Sequence, residues 1–200
     1  MPDIHIVDRY LDTTATLGVK NDGNGLDYFL PETTVLPKDF PTTGNYVAFA
    51  IGAAHATKRM PANKIIETCR NIDRTTVLLG GPDDAETGRQ IAAATGKKTV
   101  NFCGRLSLHQ SAMAVRDADY VITHDTGMMH IAAAFKKRII SVWGSTVPEF
   151  GMTPYLPENE GFSKIIEVKN LGCRPCSKIG FDKCPQGHFR CMQEAKVDIF

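Results

Sequence analysis

Residues 120–134 read Tyr-Val-Ile-Thr-His-Asp-Thr-Gly-Met-Met-His-Ile-Ala-Ala-Ala. Residues 120–123 are apolar or β-branched and predict a short buried strand, 124–127 predict a polar turn, and 128–135 hold helix formers throughout. Strand, tight turn and helix in that order make a ligand-binding unit. In an open parallel sheet, ligands sit outside the carboxyl ends of the strands, where a starting helix offers unpaired N–H groups and a positive dipole end to an anion. Gly127 lets a phosphate approach the backbone, Asp125 and Thr126 reach out from the turn, and His130 lies one helical turn after Thr126 on the same side. The same residues have plainer uses: Asp125 or Thr126 can cap the helix, and His130 can be a core histidine with a backbone partner.

Outward from this stretch the pattern repeats. Strands are expected at 46–51, 75–79, 99–102, 120–123 and 138–143. Helices are expected at 61–72 with proline in the first turn, at 83–95 closed by Gly96, and at 107–117 opened by Ser107. Alternation of this kind predicts an α/β fold, a parallel sheet wrapped by helices. If the sheet is doubly wound, the first and fourth strands are neighbours and a crevice opens between the loops 52–60 and 124–127.

The amino-terminal part is different. Apolar residues at helical spacing predict a helix over 4–17 ended by Gly18, then a polar Gly-rich turn at 20–25 and a proline-bounded stretch at 26–36. Residues 1–44 therefore read as a linker and cover segment, 45–168 as the Rossmann-like domain, and 169–200 as a Cys-rich carboxyl-terminal segment. This opening is the one expected of a chain that lacks a preceding domain.

Of 200 residues, 42% are hydrophobic, enough for one domain core. With 23 Lys and Arg against 22 Asp and Glu the net charge is +1, so no broad footprint for nucleic acid or an anionic membrane exists and anion recognition has to be local. There is no apolar run of membrane-spanning length and no basic-then-apolar leader, so a chain in the cytoplasm is expected.

The loop at 52–60 carries Lys58 and Arg59 ahead of a helix. A diphosphate in the crevice would meet a point charge from Lys58 and donors from the helix terminus at 126–127. The alternative is a solvated pair of loop cations. Asp83, Asp84 and Glu86 follow the second strand, where an acidic group commonly meets a ribose hydroxyl or serves as a first-turn helix charge. Gly80-Gly81 is too short for a dinucleotide fingerprint. No GxGxxG follows the first strand and no Walker lysine motif occurs, which argues against a dinucleotide dehydrogenase and a P-loop enzyme.

Five pieces stand together in order: Lys58-Arg59-Met60-Pro61, Leu78-Leu79-Gly80-Gly81-Pro82, Phe102-Cys103-Gly104-Arg105-Leu106-Ser107-Leu108, Asp125-Thr126-Gly127-Met128-Met129-His130, and Trp143-Gly144-Ser145-Thr146-Val147-Pro148. With the Cys-rich tail they resemble the carboxyl-terminal, donor-binding half of glycosyltransferase family nine, the lipopolysaccharide heptosyltransferases. The resemblance implies a GT-B donor domain, Rossmann-like and three-layered α/β/α. It implies that Lys58 meets the donor diphosphate, that Thr126 and Gly127 bind its phosphates, and that Asp125 and His130 meet the sugar or its phosphate. Because a carboxylate repels phosphate, Asp125 is expected on sugar hydroxyls or as a support of the turn. Asp84 is expected at the ribose, with Gly104 and Leu106 bordering adenine. The chain departs from the family at Met60, where tryptophan is frequent, and at Ala53 and Ala54, where hydroxyl residues can hold phosphate.

The implied reaction is inverting transfer of heptose from an ADP-sugar to a lipopolysaccharide core acceptor, with Lys58 and Asp125 in the catalytic apparatus and no metal cofactor required. The acceptor and the proposed general base belong to an amino-terminal domain that precedes residues 1–30 in the family, so this chain alone is expected to bind nucleotide without transferring sugar. The implied location is cytoplasmic, at the periphery of the inner membrane. Two alternatives stand beside this one, another GT-B enzyme such as a UDP-sugar epimerase, and a non-catalytic Rossmann-like module that binds a protein partner.

In the tail, Cys173, Cys176, Cys184 and Cys191 surround His188. Four thiolates, or three with the imidazole, suit tetrahedral zinc that would pin a segment with little apolar content. The family has similar cysteines without establishing a metal, and reduced structural thiols are the alternative. Cys69 and Cys103 are expected in the core.

Overall fold

The structure, a computed structural model, describes residues 4–41, 45–158 and 160–200. The ends of the expected cover segment, residues 1–3 and 42–44, lie outside the described residues, as does residue 159. Six strands make one sheet: β1 (Tyr46–Ala50), β2 (Thr75–Leu79), β3 (Thr99–Asn101), β4 (Tyr120–His124), β5 (Arg138–Trp143) and β6 (Ser163–Glu167). Every pairing is parallel and the spatial order is β3-β2-β1-β4-β5-β6. The order reverses between β1 and β4, as expected of a doubly wound sheet.

Burial on both faces explains the near-continuous apolar strands. Val47, Phe49, Ile122, Ile140 and Val142 enter one core, against α2 (Ala62–Arg70), α3 (Ala85–Thr95) and the short α6 (Arg190–Gln193). Tyr46, Ala48, Val121, Ile139 and Trp143 enter the other, against α4 (Leu108–Asp117) and α5 (Gly127–Ala134). The period-two alternation of strand side chains thus divides the strands between two helical layers. Phe40 of the cover segment closes the second layer, with its ring against Phe102 and Tyr46.

The expected helix over 4–17 is shorter. It comprises α1 (Ile6–Asp12) and a separate 3₁₀ turn, Ala15–Leu17. The Thr13 and Thr14 hydroxyls donate back to the carbonyls of Tyr10 and Leu11, and α1 has no buried residue to hold a longer helix against a core. Three strand ends also move, β1 stopping at Ala50 one residue short of the expected 51. β3 stops at Asn101, although the amide of Phe102 still donates to Leu78, while β4 takes in His124, placed by its sequence in a turn. β6, which sequence patterning missed, adds to the edge beside β5.

Candidate functional site

Where the strand order reverses, a crevice of about 610 Å³ opens at the carboxyl ends of β1, β2 and β4. That size lies within the range of small-molecule sites. Its floor and walls include Gly52, Gly80, Gly81 and Asp84 on one side and Thr126, Gly127, Met128 and Ile131 on the other, with the exposed Leu108 at the margin.

The glycines shape this floor. A Cβ on Gly52 would come within 2.3 Å of Asp84 Oδ2, and one on Gly80 within 2.8 Å of the same carboxylate. Asp84 therefore occupies the space that two missing side chains leave. Its Oδ2 accepts from the amide of Gly81 at 2.9 Å, and Arg59 approaches its other oxygen at 3.6 Å. Asp84 is placed in the crevice, with one oxygen already committed to the turn that carries it.

Across the crevice α5 begins without a side-chain cap. The Thr126 hydroxyl makes no capping hydrogen bond; its nearest polar partner is the Thr123 hydroxyl at 3.4 Å. Asp125 does not cap the helix either. Its Oδ2 accepts from the Thr146 hydroxyl at 2.8 Å and pairs with Lys58 Nζ at 2.7 Å. The start of α5 thus has no side-chain cap where Thr126, Gly127 and Met128 line the crevice, and Gly127 is exposed with no atom within 4 Å of where a Cβ would stand.

Lys58 is not a solvated loop cation, since its side chain is 15% exposed and its charge meets Asp125. His130 shares this corner. Burial pushes its pKa below that of a free imidazole, against the opposing pull of the Asp125 carboxylate, and the neighbouring His5 and Lys58 lower it further. Of the expected site residues Asp84, Thr126 and Gly127 line the crevice, whereas Lys58, Asp125 and His130 stand beside it and Gly104 and Leu106 are not among its lining residues. Gly104 takes a left-handed conformation, φ 72°, behind the Pro82 backbone, and Leu106 packs against the second core. The apolar side chain that does reach the margin is Leu108, one turn into the next element.

Three supporting residues escaped the sequence reading. Thr57 is buried, exchanges hydrogen bonds with the backbone of Phe181, and accepts from the Ser145 hydroxyl at 2.9 Å. Arg174 donates to the carbonyls of Trp143, Gly144, Thr146 and Val168 and pairs with Glu167 at 3.1 Å, so the Cys-rich segment is keyed into the ends of β5 and β6. His124 is wholly buried, and its Nε2 accepts from the amide of Met60 at 3.1 Å. Polarity inside an otherwise apolar strand was the only available signal for it.

All six cysteines are free. Cys69 and Cys103 are core residues whose thiols burial pushes up to about 12. Among the described residues no group of three or more His, Cys, Asp or Glu side chains is arranged to hold a metal ion. Cys173, Cys176, Cys184 and Cys191 are nevertheless close enough to influence one another: Cys173 and Cys184 add to the burial that raises the Cys176 thiol. The Cys191 thiol is pushed up to about 11, mainly by burial. Among the described residues no helix is long and apolar enough to cross a membrane.

The family model described as glycosyltransferase family 9 (heptosyltransferase) matches residues 2–180. Lipooligosaccharide heptosyltransferase 2 of Haemophilus influenzae is 26% identical over 182 residues, covering 89% of this chain and 51% of that protein. The family 9 glycosyl transferase of Veillonella parvula superposes with a TM-score of 0.66 at 24% identity, over 82% of this chain and 49% of that one. The Escherichia coli heptosyltransferase WaaC with ADP gives 0.62 at 21% identity, over 82% and 51%. At such identities the structural likeness speaks for the fold. The chain spans about half the length of the curated relatives it matches.

Proposed function

The chain belongs to glycosyltransferase family 9, and on that footing we propose that it is the donor-binding half of an ADP-heptose-type transferase. The observation that carries the reading is the crevice at the β1/β4 reversal, lined by the uncapped start of α5, with the Lys58–Asp125 pair on the residue next to Thr126. A nucleoside diphosphate would lay its phosphates on the Thr126 and Gly127 amides and draw on the Lys58 charge. Its ribose would lie near Asp84, and its base against Gly80, Gly81 and Leu108. His130, held neutral, and Asp125 would face the sugar.

In the complete enzyme an acceptor hydroxyl on a lipopolysaccharide core attacks the anomeric carbon. The bond from that carbon to the diphosphate oxygen breaks as the new glycosidic bond forms, and ADP departs with the electron pair. The hydroxyl proton goes to a base outside this chain. Lys58 and the α5 amides act on the charge that grows on the departing phosphate. This assigns residues 1–200 the donor side of the reaction, and a cytoplasmic setting at the inner membrane where such an acceptor is built. That a WaaC structure contains ADP supports the choice of base.

Calorimetric titration with ADP, UDP and GDP tests the reading. Selective ADP binding that weakens in Lys58→Ala supports it, UDP preference points to a different GT-B enzyme, and folded protein that binds none of the three removes it. Zinc at Cys173, Cys176, Cys184 and Cys191 is a separate proposal, and elemental analysis decides it: one zinc per chain supports it, and folded metal-free protein removes it.

A further inference from the structure

The end of β4 reaches back to a single loop twice. His124 Nε2 accepts from the amide of Met60 at 3.1 Å, and the next residue, Asp125, holds the ammonium of Lys58 at 2.7 Å. We propose that His124 is a positioning residue for Lys58, fixing the loop that follows the lysine so that its ammonium stays on Asp125, beside the crevice. The inference rests on the reading of Lys58 as a diphosphate ligand.

His124 occupies a register that is otherwise apolar, on the sheet face shared by Ile122, Ile140 and Val142. Its ring has no exposed surface, and beyond the Met60 amide it has only the nearby Gly52 backbone, which its Nδ1 does not meet in normal hydrogen-bond geometry, so an imidazole is less well satisfied there than a hydrocarbon. What it supplies is an acceptor. Met60 is 3% exposed, so its N–H has no access to water, and the Pro61 that follows has no N–H of its own. Burial, the main cause, lowers the His124 pKa to about 4, so the ring is neutral at neutral pH, and the Met60 amide selects the tautomer with Nε2 free to accept and the proton on Nδ1.

The geometry around Lys58 is then a bridge with two piers. Behind it, Thr57 is tied to Phe181 and Ser145. In front, Met60 is tied to His124, and Arg59 between them closes the loop by donating to the Ala53 carbonyl at 2.7 Å. Without the front pier the Met60 amide is left unpaired, and the Lys58–Asp125 pair loses one of the bonds that fix the loop carrying the lysine.

Three measurements test this. In the unsubstituted chain, nitrogen NMR of the His124 ring should show Nε2 unprotonated and coupled to the Met60 amide; a protonated Nε2 overturns the proposal whether or not any variant folds. Acetylation of Lys58 by acetic anhydride, followed by peptide mass spectrometry, should run about tenfold faster in His124→Leu, and ADP should bind about tenfold more weakly. His124→Gln, which restores an acceptor at the same reach, should return both to near the unsubstituted values. A folded His124→Leu chain with unchanged Lys58 acetylation sinks the inference. If the unsubstituted chain binds no ADP, the nucleotide reading fails, and the acetylation comparison still decides the position of Lys58.

Discussion

Lys58 Nζ and Asp125 Oδ2 stand 2.7 Å apart, with side chains 15% and 7% exposed, so the cation beside the crevice is already engaged by a carboxylate. On the proposed reading an incoming diphosphate shares the ammonium with a carboxylate, and the two substitutions therefore have opposite signs. Lys58→Ala should weaken ADP binding by about tenfold or more and lower stability, because it leaves a buried carboxylate with only Thr146, a loss on the order of 3 kcal/mol. Asp125→Asn should bind ADP at least as tightly as the unsubstituted chain, since the repulsion is gone and the lysine is released. Calorimetry on the two variants checks this, and weakening in both would show that Asp125 itself contributes to nucleotide binding.

Gly127 separates ligand from fold. Its Cβ position meets nothing within 4 Å and it lies at the start of α5, so Gly127→Ala costs the empty protein no contact and should stabilise it by about 0.4–1 kcal/mol through the unfolded chain. The methyl group points at the space assigned to phosphate, and ADP affinity should fall about tenfold. Gly80→Ala is the contrast. There the Cβ comes within 2.8 Å of Asp84, so stability itself should drop. Urea unfolding and calorimetry on the same two proteins separate the effects.

The residues that the sequence placed well are those whose role is set by their own neighbours in the chain. Strand β5 and the Ser107 cap, whose hydroxyl accepts from the Gln110 amide, follow from local pattern alone. So does the β1/β4 adjacency, once strands and helices alternate. What stayed hidden depends on contacts distant in sequence. Lys58 looks free until β4 brings Asp125 to it, His124 looks like part of a turn until Met60 is beside it, and β6 is recognisable as a strand only from its pairing with β5. The base-side wall shows the same limit, because whether Leu106 or Leu108 reaches the crevice depends on how the loop after β3 packs on the second core.

Arg174 should prove the most sensitive residue of the carboxyl-terminal segment. Its side chain is 5% exposed, serves four carbonyls and meets Glu167, so Arg174→Ala orphans a largely covered carboxylate and several acceptors together. A loss of about 3–5 kcal/mol is expected. Arg174→Lys should recover little of it, since an ammonium cannot reproduce the planar fork that divides its N–H groups among those partners. Because the Cys176 amide donates to Ser145, and Ser145 to Thr57, the alanine variant should also loosen the Lys58 turn. Chemical unfolding gives the first effect, and the Lys58 acetylation rate gives the second.

Acid should unfold this protein through His124. Its folded pKa is about 4 against 6.5 for an exposed imidazole, so between those values the unfolded chain binds the proton and the folded chain does not. Stability is therefore fully present above about pH 6.5, falls as the pH drops toward 4, and has lost on the order of 3 kcal/mol by then. The charged group that faces the ring, Arg59, works in the same direction, and His130, whose pKa is also depressed, adds to the slope. Urea unfolding at intervals across this window should show the decline in the unsubstituted chain. His124→Gln, which keeps the acceptor for Met60 and has no proton to gain, should flatten most of it. A slope that persists unchanged in that variant would assign the acid sensitivity to other groups.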